Sequence, residues 1–122
     1  MRSERPHRRL KAWQKGMDLY VDIFQLTKIL PKEELFGLSS QMRRAAQSVA
    51  SNIAEGAAKD SQKDFARFLN TAEGSLSELD TQLEGGLRVG YFTQEAINPL
   101  YDLIDETSAL VAGLKRKLKS EG

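Results

Sequence analysis

Between Leu38 and Glu55 the chain carries two rows of side chains at helical spacing, and few folds accommodate that pattern. Leu38, Met42, Ala45, Val49 and Ile53 recur at steps of three and four residues, which makes an apolar seam along an α-helix. Gln41, Arg44, Ser48, Asn52 and Glu55 recur at the same steps and form a wholly polar row. At about 100° per residue this row lies beside the seam and not opposite it. Polar groups at the shoulder of a core need partners, because burying an unpaired amide or charge costs several kcal/mol. The row is therefore either a hydrogen-bonded strip between helices or a binding site.

The same periodicity predicts four helices. The first covers 11–30 and stops at Pro31, since the residue before a proline disfavours helical backbone. The second covers 38–55, with Gly56 as a left-handed terminator. The third covers 61–89: Ser61, three residues before Asp64, reads as its N-cap, Phe65, Leu69, Leu76, Leu79 and Leu83 continue the seam, and Gly90 ends it. Gly85-Gly86 inside this segment would cost up to about 1 kcal/mol each against alanine, which predicts a close helix–helix approach or a local kink. The fourth covers 93–119 and is capped by Thr93, or by Asn98 ahead of Pro99; a helical turn from Thr93 with a bend near Pro99 is expected. No strand-like alternation occurs. The expected fold is all-α, one antiparallel up-down-up-down four-helix bundle over residues 11–120, preceded by a mobile basic arm over residues 1–10.

That topology gives the charges a location. The net charge is only +1, yet residues 1–15 carry +5, residues 115–122 carry +3, and the 99 residues between them carry −7. An antiparallel bundle places the start of the first helix and the end of the fourth at one end. Arg5, Arg8, Arg9, Lys11, Lys15, Lys115, Arg116, Lys117 and Lys119 would then form a positive pole suited to phosphate. Lys59, Lys63 and Arg67 belong to the same end, offset by Asp60 and Asp64. The competing reading is that basic termini are solvated tails and that lysines complement a helix C-terminus. Few aromatics interleave with these residues, so phosphate contact is indicated and base stacking is not.

The first helix has two apolar rows, Trp13, Met17, Tyr20, Phe24 and Leu19, Ile23, Leu26, Leu30, centred roughly 110–120° apart. Either they make one wide buried face, or one row packs inside and the other meets a second copy. Self-association is expected, with Leu19, Ile23, Leu26 and Leu30 as the oligomer interface. In the polar row, Arg44 is expected to pair with Glu78 or Glu55. Gln41, Ser48, Asn52 and Ser75 would complete a structural network.

Several chemistries are excluded. There is no cysteine, and His7 is the sole histidine, so a bundle di-iron site, an arginine–histidine ribonuclease pair and a hydrolytic triad cannot be assembled. No phosphate-binding glycine loop is present. Asp102, Asp105 and Glu106 read as a solvated face and not as a magnesium site. No catalytic residue, metal or cofactor is assigned, and the protein is expected not to be an enzyme. A start without an apolar leader and the lack of a run near the ~20 residues that span a bilayer predict a cytoplasmic location.

The run Gly37–Gly56 closely resembles the signature of the bacterial four-helix proteins encoded in intervening sequences of 23S ribosomal RNA genes. Trp13, Leu30-Pro31-Lys32-Glu33-Glu34 and the segment Ala72–Leu79 with Gln82-Leu83 extend the likeness over about residues 10–118. Ala50-Ser51 and Pro99 depart from the common pattern, the latter at the start of the last helix. The resemblance implies a four-helix bundle assembled as a homopentameric ring. It also implies kinship with accessory proteins of diversity-generating retroelements, which engage nucleic acid and a reverse transcriptase through a basic surface. No enzymatic activity comes with it. The function expected is non-specific binding of RNA or DNA through the basic pole. The alternatives are a self-assembling scaffold for a protein partner and, remotely, a metal-dependent enzyme.

Overall fold

The structure, a computed structural model, describes residues 5–121. Its elements are α1 (Lys11–Thr27), α2 (Leu38–Ala57), α3 (Gln62–Arg88) and α4 (Gln94–Glu121), with short 3-10 helices at Pro6–Arg9 and Lys32–Glu34. No strand occurs among the described residues. Of the basic arm, residues 1–4 lie outside the described residues, while Pro6–Arg9 packs on α1 and α2.

Several helix boundaries have a local cause. The Ser61 hydroxyl accepts the Asp64 N–H at 3.0 Å, and the Thr93 hydroxyl accepts the Ala96 N–H at 3.2 Å. At the start of α2 the Glu34 carboxylate accepts the Leu38 N–H at 3.1 Å. Beyond Thr27 the chain tightens into three-residue turns, with N–H groups of Lys28, Ile29 and Leu30 donating to Gln25, Leu26 and Thr27. At the end of α3, Gly90 takes φ +89° and the Tyr91 N–H reaches back to the Gly86 carbonyl at 2.8 Å. That left-handed closure favours glycine, which has no Cβ to clash. Pro99 lies within α4, which runs on through it.

Gly56 does not terminate α2. It sits buried inside the helix, where a Cβ would lie 2.7 Å from Phe65 Cδ1 and 2.9 Å from Phe68 Cβ. Its missing side chain lets the end of α2 close on the start of α3. Gly86 serves the same purpose further on, since a Cβ there would overlap the Phe92 ring, whereas Gly85 faces open space.

The four helices surround one core. α1 packs on α2 and α4, α3 packs on the same two, and the backbones of α1 and α3 do not approach closely among the described residues. Gly16 meets Val49 and Ala50, while Thr27 meets Arg43. Gly56 meets Phe65 and Ser48 meets Ser75. Glu84 meets Tyr101, Glu73 meets Lys115 and Lys15 meets Glu106.

The interior is filled by aliphatic seams: Leu19 and Ile23 from α1, Met42, Val49 and Ile53 from α2, Leu69, Leu76, Leu79 and Leu83 from α3, and Ile97, Leu100, Ile104 and Val111 from α4. This corrects the expected oligomer interface. Leu19 and Ile23 are wholly buried in the chain's own core and are not available to a second copy, while Leu26 and Leu30 pack against that core half-buried. Compact aliphatic chains fill the narrow interior, while the larger rings of Trp13 and Tyr20 settle at its edge, half-buried.

Candidate nucleic-acid interface

The polar row of α2 is only partly internal. Its centre is a hydrogen-bonded strip: the Ser75 hydroxyl donates to Ser48 Oγ at 2.8 Å, and the Asn52 amide donates to Ser48 Oγ at 2.9 Å and to the Ser48 carbonyl at 2.8 Å. Gln41, Arg44, Glu55 and Glu78 are exposed, and Glu78 accepts from Gln82 at 3.3 Å. Arg44 forms neither of the ion pairs expected of it. The ion pairs among the described residues are Lys15–Glu106, Arg67–Asp64, Arg88–Glu84 and Lys115–Glu73. A side chain that reaches water gains little by pairing there, whereas Ser48 and Asn52 sit closer to the α3 contact and must satisfy each other.

The basic residues converge at the end of the molecule where α1 begins, α2 passes to α3, and α4 ends. Lys11 and Lys117 flank one cleft between α1 and α4, floored by Leu10, Ala12, Leu110 and Leu114. Lys63, Lys115, Arg116 and Lys119 line a wider open groove between α3 and α4, about 740 Å³ in volume, with Ala66, Ala112 and Leu118 as its apolar surface. Glu73 is the single carboxylate of that groove among the described residues and holds Lys115 at 2.7 Å.

The nine expected residues therefore differ in role. Lys115 and Lys15 are tied to carboxylates, the latter to Glu106 at 3.5 Å. Arg8 lies over the Trp13 ring at 5.4 Å, and its carbonyl accepts from the Gln14 amide at 2.8 Å, which fixes the 3-10 helix to α1. Arg5, Arg9, Lys11, Arg116, Lys117 and Lys119 are exposed. Lys63 joins them in the groove. Its place near the α2–α3 link puts it at this end, but only the packing of α4 on α3 turns proximity into a shared lining.

His7 stands edge-on to Trp13, ring centroids 4.8 Å apart. Partial burial, then the charges of Arg8 and Arg5, lower its pKa below the usual histidine value. It is thus predominantly neutral at pH 7 and adds little to the positive end. Among the described residues no group of three or more histidine, cysteine, aspartate or glutamate side chains is set to hold a metal ion. No helix among them is long and apolar enough to cross a membrane.

The family model described as 23S rRNA-intervening sequence protein matches residues 8–113. Among solved structures, one similar chain is a protein of unknown function from the S23 ribosomal protein family of Bacteroides thetaiotaomicron. It is 28% identical, covers 85% of this chain and 97% of its own, and superimposes with a TM-score of 0.79. No curated protein matches. The chain belongs to the 23S rRNA-intervening sequence protein family.

Proposed function

We propose that this member of the family is a non-enzymatic, self-assembling protein of the cytoplasm that binds RNA or DNA, largely without sequence preference, through its basic end. The carrying observation is the convergence of Lys11 with Lys117 and of Lys63 with Lys115, Arg116 and Lys119. Two open grooves lined by cations and aliphatic side chains suit a phosphate backbone and offer no ring for stacking. The helix pairings support an antiparallel up-down-up-down bundle. Copies assemble as a homopentameric ring that presents the basic ends together, so that contacts weak in one chain act jointly.

Gel-shift titration with a structured RNA, at low and at moderate salt, tests this reading. Binding at low salt that weakens steeply as salt rises is expected. Absence of binding at low salt, or tight binding indifferent to salt, overturns it.

A second reading, a scaffold for a protein partner such as a reverse transcriptase, draws on the other end of the molecule. There Ile29, Phe36 and Val89 are 61%, 92% and 67% exposed. It predicts that replacing the terminal basic residues with glutamine leaves partner capture intact.

A further inference from the structure

We infer that the outward face of α1 is a contact between copies of this chain, in which the Arg43 edge of one copy enters the acidic α1–α4 groove of the next. This rests on the self-assembly proposed above and places it on a different surface from Leu19, Ile23, Leu26 and Leu30. Val21 and Phe24 leave 54% and 40% of their surface exposed on that face, and the two flanks of the helix carry opposite charge.

On the α2 flank, the Arg43 guanidinium lies 4.0 Å from the Phe24 ring centroid, and its Nε donates to the Thr27 hydroxyl at 2.8 Å. Thr27 is itself fixed by donating to the Ile23 and Phe24 carbonyls. Lys28 approaches the same ring at 5.8 Å. A stacked, hydrogen-bonded guanidinium has already lost most of its rotamer freedom, so a carboxylate that meets its fork gains more than one that must first order it. No carboxylate of this chain pairs with Arg43 or Lys28 among the described residues.

On the α4 flank, Asp18, Asp22, Asp102 and Glu106 line a groove with Val21 and Leu103. Only Glu106 is paired, with Lys15, among the described residues. A groove of this charge repels nucleic acid, and it holds no metal-ligating cluster. Its complement is present on the same molecule, across an apolar ridge one helix wide. Cation edge to anion groove is a head-to-tail contact, and repetition of such a contact closes a ring when the rotation between copies allows it.

The test reverses each flank in the full chain and reads the mass in solution by light scattering, with helical circular dichroism as the folding control. Lys28→Glu with Arg43→Glu should lower the mass to that of one chain, and so should Asp22→Lys with Asp102→Lys. All four substitutions together should restore the assembly, because the complementarity is then inverted on both sides. Zero-length carbodiimide cross-linking of mixed isotope-labelled and unlabelled wild-type protein should join Lys28 to Asp18, Asp22 or Asp102 in mixed-isotope pairs. An assembly that survives both reversals, a fourfold variant that folds but stays monomeric, or cross-links lacking mixed-isotope pairs overturns this contact alone. A monomeric wild type overturns the self-assembly reading with it.

Discussion

The two ends of the molecule are built on different terms. At the end formed by the α1–α2 link and the α3–α4 turn, side chains are specifically engaged with one another. Tyr91 donates to Glu34 at 2.8 Å across 57 residues of sequence, Glu34 also caps α2, and Phe92 is buried over Gly86. At the opposite end, most cations face water, and among the described residues only Lys15 and Lys115 are paired with carboxylates across helices. The first end spends its polar groups on holding helices together; the second leaves them available. Among the described residues a single carboxylate, Glu73, stands among four cations in the α3–α4 groove.

The contrast can be broken most sharply at the basic end. Replacing Arg116, Lys117 and Lys119 with glutamine should leave the thermal midpoint essentially unchanged while RNA affinity at low salt falls more than tenfold and the salt slope drops by about 3. A large loss of stability in that variant would mean the basic end is structural. At the other end, Gly86→Ala should destabilise by about 1–3 kcal/mol in urea titration, because the Phe92 ring must leave its seat. In the middle, Ser48→Ala should cost about 1–2 kcal/mol, since Asn52 and Ser75 lose a shared partner, and adding Ser75→Ala should recover part of the loss. Gly85→Ala, one residue from the costly position but facing open space, should instead stabilise by up to about 1 kcal/mol.

The smallest effect is a pH dependence. The Leu38 N–H, then the Tyr91 hydroxyl, hold the Glu34 carboxyl below its ordinary range. Its contribution is therefore fully present above the ordinary carboxylate pKa and is lost as pH falls through the depressed value. Glu34→Gln should flatten the acid limb of the stability curve, and an unchanged limb would remove Glu34 from the account.

Much of this was legible in the residues. The seams through Met42, Leu76 and Ile104, and the caps at Ser61 and Thr93, depend on spacing along a single helix, which sequence states directly. What depends on how a helix is turned against its neighbours was not. Of the two apolar rows of α1, the one through Leu19 and Ile23 was expected to meet a second copy, and packing instead puts these two residues in the core and leaves Phe24 partly outside. Gly56 suits both a terminator and a close crossing, and only the rings of Phe65 and Phe68 decide between them. Arg44 shares a row with Ser48, but its longer side chain reaches water, where a partner matters little. At the basic end the sequence located the charges, while the split between tied and exposed cations came from Glu73 and Glu106, carboxylates 42 and 91 residues away along the chain.

The packing of α1 directly on α4 also orders events during synthesis. Helices α1, α2 and α3 can pair as they emerge, each with the one before it, but the flank of α1 that carries Lys15 stays open until Glu106 and the turns around it have been made. Until that moment Leu19 and Ile23 lack their fourth wall. A chain cut short within α4 therefore has its central seam uncovered, as an aggregation-prone folding intermediate does, and the 28 residues of that helix complete the cover.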